Sequence, residues 1–202
     1  MTGKTVVIRG VEIHKRALDP RYQERVLDDL RTVVRAAPLI SPTTPRGRKM
    51  SVRMTSAGRC GWISDRLGYR YEPVHPDGQP WPDIPGSILS LWARYGCSSR
   101  MPDCCLINHY GQEARMGMHQ DNDERDMSWP VVSISLGDSA LFRIGNRERG
   151  GSTESIWLDS GDIAVLGGAA RMLYHGIDRI EFGSSRLLSR GGRINVTLRV
   201  VD

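Results

Sequence analysis

Three residues have side chains and a spacing suited to holding a metal ion. His119 and Asp121 form a His-x-Asp pair, and residues i and i+2 of an extended segment point to the same side. His175 follows much later, after a Gly-Asp turn and a short apolar run. Two imidazoles and one carboxylate on one side of an ion form the facial triad of non-haem Fe(II) oxygenases, which leaves coordination positions open. The same three ligands also suit zinc, so a zinc hydrolase site is the competing interpretation.

A polar face on the final strand-like run favours iron over zinc. The residues on this face are Arg193, Asn195, Thr197 and Arg199. The alternating residues Ile194, Val196, Leu198 and Val200 would occupy the opposite face. Taken alone, the pattern describes a surface strand with its polar face in water. If the face instead lines a cavity, the arginines need anionic partners, and a small dicarboxylate would supply them. The zinc interpretation leaves these arginines unexplained.

The elements that must position these residues can be predicted in outline. One helix is expected over Asp19–Ala36, where Asp19 can cap and Pro20 suits the first turn. A second is expected from Ile84 or Pro85 to Tyr95, with Gly96 as its stop. Strand-like runs follow at Cys104–Tyr110, Val131–Leu136, Ala140–Ile144, Ser155–Leu158, Ile163–Leu166 and Arg193–Val201. Several β runs at close spacing predict a sandwich or barrel. The expected fold class is therefore α+β, in one compact unit.

Composition narrows the class of protein. The chain has 202 residues, 39% of them hydrophobic and 25% charged, which predicts one globular domain without a membrane span. The beginning of the chain gives no reason to expect a signal peptide. The net charge of +5 permits attraction to a polyanion but does not require it. Without a CxxC motif, we expect reduced, buried thiols and a cytoplasmic, monomeric protein. The cysteines are Cys60, Cys97, Cys104 and Cys105.

Longer stretches of the sequence resemble the AlkB family of Fe(II)/2-oxoglutarate-dependent dioxygenases of bacterial nucleic-acid repair. The stretches that carry the resemblance are Gly61-Trp62, Gly68–Tyr71, Pro80–Pro82, Asn108–Tyr110, Met118–Glu124, Gly161-Asp162, Tyr174–Gly176 and Arg193–Arg199. The resemblance covers about residues 60–200. It implies a double-stranded β-helix (jelly-roll) core over about residues 101–202. It also implies an N-terminal α/β nucleotide-recognition lid over about residues 1–100, both within a single domain.

The resemblance implies a function and a set of site residues. The activity would be oxidative removal of N-alkyl groups from bases such as 1-methyladenine and 3-methylcytosine, with release of formaldehyde. Fe(II) would be held by His119, Asp121 and His175, with 2-oxoglutarate and O2 as cosubstrates. The 2-oxoglutarate ligands would be Asn108, Tyr110, Arg193, Asn195 and Arg199. Substrate contacts would come from Trp62, Tyr69, Asp123 and Arg149. No catalytic side chain is implied beyond the metal centre, and the partner would be single-stranded or double-stranded DNA, with RNA left open.

The sequence departs from the family pattern at one position and leaves several alternatives open. Leu166 stands where well-known bacterial members carry Trp, so the range of lesions is open. Residues 45–49 are candidates for phosphate contacts or a solvated loop. His75 is expected at the surface. A related oxygenase acting on a protein, a lipid or a small molecule is the second functional hypothesis, and a non-enzymatic β-sandwich binding module is the third.

Overall fold

In the computed structural model, which describes residues 3–96 and 99–202, most of the chain forms short antiparallel strands. The strands are β1 Thr5–Ile8, β2 Val11–His14, β3 Arg53–Gly58, β4 Gly61–Asp65, β5 Gly68–Glu72, β6 Cys104–Tyr110, β7 Met116–His119, β8 Val131–Gly137, β9 Ser139–Ile144, β10 Glu154–Leu158, β11 Ile163–Leu166, β12 His175–Glu181 and β13 Arg193–Arg199. The helices are α1 Pro20–Ala36, α2 Gly86–Tyr95 and a short 3-10 turn at Gly168–Ala170.

Two larger sheets and one hairpin organise these strands. The major sheet has the order β1-β2-β11-β8-β13-β6-β3, and the minor sheet has the order β10-β9-β12-β7. Strands β4 and β5 pair only with each other. The non-sequential order of both larger sheets is that of the jelly-roll core that the resemblance implies, which is confirmed.

The hydrophobic core has two layers, one on each side of the major sheet. Between the two sheets, Leu106 and Val131 pack in one cluster with Phe142 and Ile177 of the minor sheet. On the opposite side of the major sheet, a second cluster is completed by both helices, and it contains Leu30, Trp92, Val196 and Leu198. The alternation predicted for β13 is therefore present, with its apolar residues facing the helices.

Local signals locate both helices. The side chain of Asp19 accepts a 2.8 Å hydrogen bond from the backbone nitrogen of Tyr22, and Pro20 is the first helical residue. The second helix ends before Gly96, where an added Cβ would lie 2.8 Å from the Trp92 ring. Close packing on that tryptophan therefore requires glycine here. Neither helix is long and apolar enough to cross a bilayer, within the described part of the chain.

The N-terminal half contains strands that the sequence did not predict. Strands β1, β2 and β3 all pair within the major sheet. The division into a lid and a catalytic core near residue 100 stays a prediction. Strands β1, β2 and β3 bring N-terminal residues into the same sheet as the expected core. The expectation that His75 lies at the surface is wrong. The residue is buried, with its Nε2 3.0 Å from the carbonyl oxygen of Pro38 and its ring edge-on to Trp81.

The expected buried thiols are present at three positions. Cys60, Cys104 and Cys105 are free and buried. Burial raises the pKa of the Cys105 thiol to about 12, so this sulfur is neutral and inert at physiological pH. Cys97 lies outside the described residues.

Candidate functional site

His119, Asp121 and His175 converge at one point between the sheets. His119 ends β7, and His175 begins β12 directly opposite it in the strand register. One carboxylate oxygen of Asp121 lies 3.6 Å from Nε2 of His119, and the other lies 3.6 Å from Nε2 of His175. A ligand atom from each residue lies within 4.8 Å of the others. These separations suit three ligands of one cation on one side of it.

Both imidazoles are oriented by the backbone. Nδ1 of His119 lies 2.9 Å from the carbonyl oxygen of Gly117, and Nδ1 of His175 lies 3.0 Å from that of Leu173. Because a carbonyl oxygen only accepts, each Nδ1 carries the proton and each Nε2 presents a lone pair. Burial and the neighbouring His175 lower the pKa of His119 to about 4. The His119 ring is therefore neutral at physiological pH, as a metal ligand must be.

An arginine holds the carboxylate of Asp121 ionised. Nη2 of Arg199 donates a 2.8 Å hydrogen bond to Oδ1 of Asp121. Burial of Asp121 opposes ionisation, but the charge of Arg199 outweighs it and keeps the pKa of Asp121 well below its usual range. The carboxylate is consequently available as an anionic ligand.

Three further residues, which the sequence analysis did not single out, complete the surroundings of Asp121. Glu124 accepts hydrogen bonds from Arg199 at 2.9 Å, from Arg171 at 3.0 Å and from the Tyr71 hydroxyl at 2.6 Å. Arg171 also donates to the backbone oxygen of Asp121. The only available signal for Glu124 was its place in the Met118–Glu124 stretch.

The second half of the site lies on the polar face of β13. Arg193 pairs with Tyr110 of β6 in the strand register, and Asn195 pairs with Asn108. Arg193 is completely buried, and its guanidinium donates to the Leu158 carbonyl at 3.1 Å and to other neutral oxygens. No carboxylate of the described residues lies within salt-bridge distance of Arg193. Burial lowers the pKa of Arg193 to about 10, while neighbouring ionisable groups oppose this change.

Several buried polar atoms in this region have no hydrogen-bond partner in the described structure. They are Oδ1 of Asn108, Oγ1 of Thr197, Nε of Arg193 and Nε of Arg199. All four residues line one cavity of about 500 Å³. Since buried polar groups in proteins are normally paired, these atoms fit a polar ligand that enters the cavity. Arg193 in particular fits a carboxylate, because a buried cation needs an anionic partner. The residues present therefore fit both Fe(II) and a dicarboxylic keto acid.

Aromatic residues and polar groups form the mouth of the cavity. Trp62 of β4 and Tyr69 of β5 are stacked, with ring centroids 5.5 Å apart and planes 15° apart. Nε1 of Trp62 donates a 2.7 Å hydrogen bond to Oδ2 of Asp123. Arg149 is exposed at the rim, and its guanidinium carbon lies 5.7 Å from the centroid of the Tyr174 ring.

One pocket contains all the metal, 2-oxoglutarate and substrate contacts that the resemblance implies, whereas residues 45–49 do not line it. Its lining includes the three candidate metal ligands, the five candidate 2-oxoglutarate ligands and the four candidate substrate contacts. Leu166 is buried and also lines it. The sequence analysis missed Ser133 and Ser135 of β8, whose hydroxyls accept 2.7 Å hydrogen bonds from Asn195 and Arg193. Their spacing of two on a strand was the available signal.

Comparisons with known proteins agree with this geometry. Residues 10–199 match the 2OG-Fe(II) oxygenase superfamily. The chain is 47% identical over 194 residues to an alpha-ketoglutarate-dependent dioxygenase AlkB homolog of Caulobacter vibrioides, covering 96% of this chain and 88% of that protein. It is 39% identical to the alpha-ketoglutarate-dependent dioxygenase AlkB of Escherichia coli K12, covering 87% and 83% of the two chains. The solved structure of OsALKBH1 superposes with a TM-score of 0.80 at 28% identity, covering 98% of this chain and all of that one.

Proposed function

Since the chain belongs to the AlkB family of 2OG-Fe(II) oxygenases, we propose that it removes alkyl groups from ring nitrogens of nucleic-acid bases by oxidation. The observation that carries this proposal is one cavity that combines three features. A His-Asp-His triad faces a buried arginine that has no carboxylate partner in the described structure, beneath an aromatic mouth. Relatives named as nucleic-acid dioxygenases and demethylases support the substrate class.

The proposed metal ligands are Nε2 of His119, a carboxylate oxygen of Asp121 and Nε2 of His175. Bound iron would activate O2, with 2-oxoglutarate as the electron donor, for attack on an N-alkyl C–H bond, which no amino-acid side chain can achieve. The protein orients these ligands through the Gly117 and Leu173 carbonyls. Three ligands on one side leave the other side for cosubstrates.

The proposed 2-oxoglutarate site extends along β13 and β6. Arg193 would pair with the carboxylate distant from the metal, because it is buried and has only neutral partners in the described structure. Tyr110 and Asn195 would contact the same molecule from adjacent strands. Asn108 and Arg199 would contact the end near the metal, where each has an unpaired buried atom.

The proposed substrate contacts are at the cavity mouth. A base must leave its stack to reach the triad, which costs a few kcal/mol and costs least for a damaged or single-stranded base. Stacking on Trp62 would return about 1–3 kcal/mol of that cost. Asp123 would accept a hydrogen bond from the polar edge of the base. Tyr69 and Arg149 would contact the sugar-phosphate chain from the rim.

Product release needs no further catalytic side chain. Oxidation of an N-methyl group with O2, in which 2-oxoglutarate becomes succinate and CO2, would place a hydroxymethyl group on the ring nitrogen. Cleavage of its C–N bond would give formaldehyde: the ring nitrogen keeps the electron pair of that bond, which neutralises the cationic base, and the hydroxyl proton leaves to solvent. The chain's contribution is therefore to hold the base and keep the cavity closed to bulk water.

One assay tests the proposal. The protein is incubated with Fe(II), 2-oxoglutarate, ascorbate and a 3-methylcytosine oligonucleotide, and formaldehyde and oligonucleotide mass are followed. We expect formaldehyde in step with the loss of one methylene unit from the oligonucleotide. Succinate formation with a protein or small-molecule substrate, without base repair, would instead support the related oxygenase. The monomeric state and the cytoplasmic location stay predictions, and the choices between single and double strands and between DNA and RNA stay open.

A further inference from the structure

The buried thiols of Cys60 and Cys104 lie next to each other beside the site. Cys104 begins β6, where it pairs with Gly58 of β3 on one side and with Arg199 of β13 on the other. The turn after Gly58 brings Cys60 back to this place. Its backbone nitrogen lies 3.4 Å, and its Sγ 4.0 Å, from the carbonyl oxygen of Asp103, which belongs to the peptide bond before Cys104. The fold thus brings together two sulfur atoms that are distant in sequence.

The two thiols are chemically unequal. A hydrogen bond from the Cys104 thiol lowers the pKa of Cys60, burial opposes this change, and the nearby cation of Arg59 supports it. The same hydrogen bond, together with burial, raises the pKa of Cys104 well above its usual value. Because the thiolate is the nucleophile, Cys60 is the sulfur that reacts first with an electrophile. Arg199 lies near enough to Cys104 to favour its ionisation afterwards.

Cys105 provides the contrast within the same strand. Its side chain lies on the opposite face of β6, in the cluster that the helices complete, whereas Cys60 and Cys104 share the cluster between the sheets. Burial is the cause of the raised pKa of Cys105, and neither of the other described cysteines influences it. Among the described cysteines, therefore, Cys60 and Cys104 alone have a sulfur atom as a partner.

We propose that Cys60 and Cys104 are a modification site, at which hydrogen peroxide converts the two thiols to a reversible disulfide. The Cys60 sulfur attacks one peroxide oxygen, so that an S–O bond forms and the O–O bond breaks. The departing hydroxide takes the Cys60 proton and leaves as water. The Cys104 sulfur then attacks the sulfenic acid, so that the S–S bond forms and the S–O bond breaks. The second hydroxide takes the Cys104 proton, and the two electrons lost by the sulfur atoms have reduced the peroxide to water.

The disulfide ties the hairpin at the cavity mouth to the major sheet. Strand β4 begins directly after Cys60 and carries Trp62, and the β4–β5 hairpin belongs to neither of the larger sheets. Its polar attachments include the hydrogen bonds from Trp62 to Asp123 at 2.7 Å and from Tyr71 to Glu124 at 2.6 Å. A covalent link between the start of β4 and the start of β6 adds an attachment that does not break when such hydrogen bonds do. The hairpin of the oxidised protein therefore opens less often.

Mass-spectrometric mapping of the full chain tests the proposal. The protein is loaded with Mn(II) in place of Fe(II), which would itself react with peroxide, and is treated with hydrogen peroxide. Remaining thiols are then blocked, and the protein is digested without reduction. We expect a peptide that joins Cys60 to Cys104, lighter by two hydrogens and separated by dithiothreitol. Cys105→Ala is the matched control and should form the same link. Retention of all four thiols, or a link through Cys97 or Cys105, would overturn the proposal.

Single variants test the order of the two steps. Peroxide-treated Cys104→Ala should accumulate a sulfenic acid at Cys60, detected as a dimedone adduct, whereas Cys60→Ala should give about tenfold less adduct at Cys104. Equal labelling of the two variants would contradict Cys60 as the first nucleophile.

Hydrogen exchange tests the link to the cavity mouth. Amides of residues 61–72 should exchange severalfold more slowly in the oxidised protein and recover with dithiothreitol, while peroxide-treated Cys60→Ala should match the reduced protein. Unchanged exchange in the oxidised protein would refute the restraint on the hairpin. None of these measurements requires turnover, so their outcome is separate from that of the repair assay.

Discussion

Nη2 of Arg199 lies 2.8 Å from Oδ1 of Asp121, the same oxygen that lies 3.6 Å from Nε2 of His119. The arginine therefore restrains a carboxylate that also faces the two imidazoles. Glu124 takes a second hydrogen bond from the same guanidinium. Without Glu124, the cation of Arg199 would be balanced by Asp121 alone and would compete with a bound metal for that carboxylate. Glu124 and its partner Arg171 thus position the triad without belonging to it.

Arg171→Lys should weaken metal binding by about 10–100-fold. Lysine keeps the charge but cannot donate at once to the Asp121 backbone oxygen, Glu124 and the Trp129 carbonyl, as Arg171 does. The measurement is calorimetric titration of metal-free protein with Mn(II), with the thermal midpoint recorded in parallel. Arg179→Lys, an exposed change on β12, is the control. Unchanged Mn(II) affinity in Arg171→Lys would show that this arginine only stabilises the fold.

Arg193→Met should raise the dissociation constant for 2-oxoglutarate by about 10–100-fold, as expected for loss of one charged hydrogen-bond pair. Metal affinity should change little, because Arg193 makes no hydrogen bond with the triad. Titration of the Mn(II)-loaded protein with 2-oxoglutarate measures the first quantity, and Mn(II) titration measures the second. Arg193→Lys should recover part of the affinity. Parallel losses of both affinities would point to a distorted cavity and contradict the assigned contact.

The metal-free protein should lose stability as the pH falls from about 6.5 to about 4. His119 has a folded pKa of about 4 against an ordinary value of 6.5. In this interval the unfolded chain binds a proton that the folded chain does not, so acidification favours unfolding. The His119 side chain is 40% exposed, which makes the effect smaller than for a fully buried ring.

Urea unfolding of the metal-free protein at several pH values measures this dependence. His119→Asn should flatten the curve between pH 6.5 and 4, while the acidic limb below pH 4 should persist because carboxylates are unaffected. An identical pH dependence in protein and variant would rule out His119 as its source.

The sequence was most informative where a local pattern has one geometric meaning. The period of two in Arg193–Arg199 predicted opposite faces for its charged and apolar residues, and both faces are as expected. The capping signal at Asp19 located the first helix. His119 and His175 could be proposed as partners from their residue types and the polar face of the last strand, although their pairing across two strands is a long-range feature that no local pattern determines.

Other features could not be predicted because their causes are distant in sequence. Strands β1 and β2 have four residues each and are held by pairing within the major sheet rather than by intrinsic preference. Arg171 and Glu124 are ordinary charged residues in the sequence, and only the fold brings them together beside Asp121. A charged residue is expected at the surface unless its partner is known.

Trp62→Phe should change which alkylated bases are repaired more than it changes overall activity. Phenylalanine keeps an aromatic face for stacking but removes the Nε1 hydrogen bond to Asp123, which is 2.7 Å long. Asp123 would then be free to rotate away from the amino group of 3-methylcytosine, from which it accepts a hydrogen bond in the proposed complex. A 3-methylthymine base has a carbonyl at that edge and gains nothing from this carboxylate. The ratio of kcat/KM for the two bases in matched oligonucleotides should therefore fall by about tenfold, the value of one charged hydrogen bond.

Trp62→Ala separates this effect from stacking. Loss of the whole ring should reduce repair of both bases, by about 1–3 kcal/mol of lost stacking, and also release Asp123. A fall in kcat/KM that is equal for both bases in Trp62→Phe would show that the indole N–H does not position Asp123. The stacked ring of Tyr69, 5.5 Å from Trp62, provides an internal check, because Tyr69→Phe keeps that stacking and should leave the ratio unchanged.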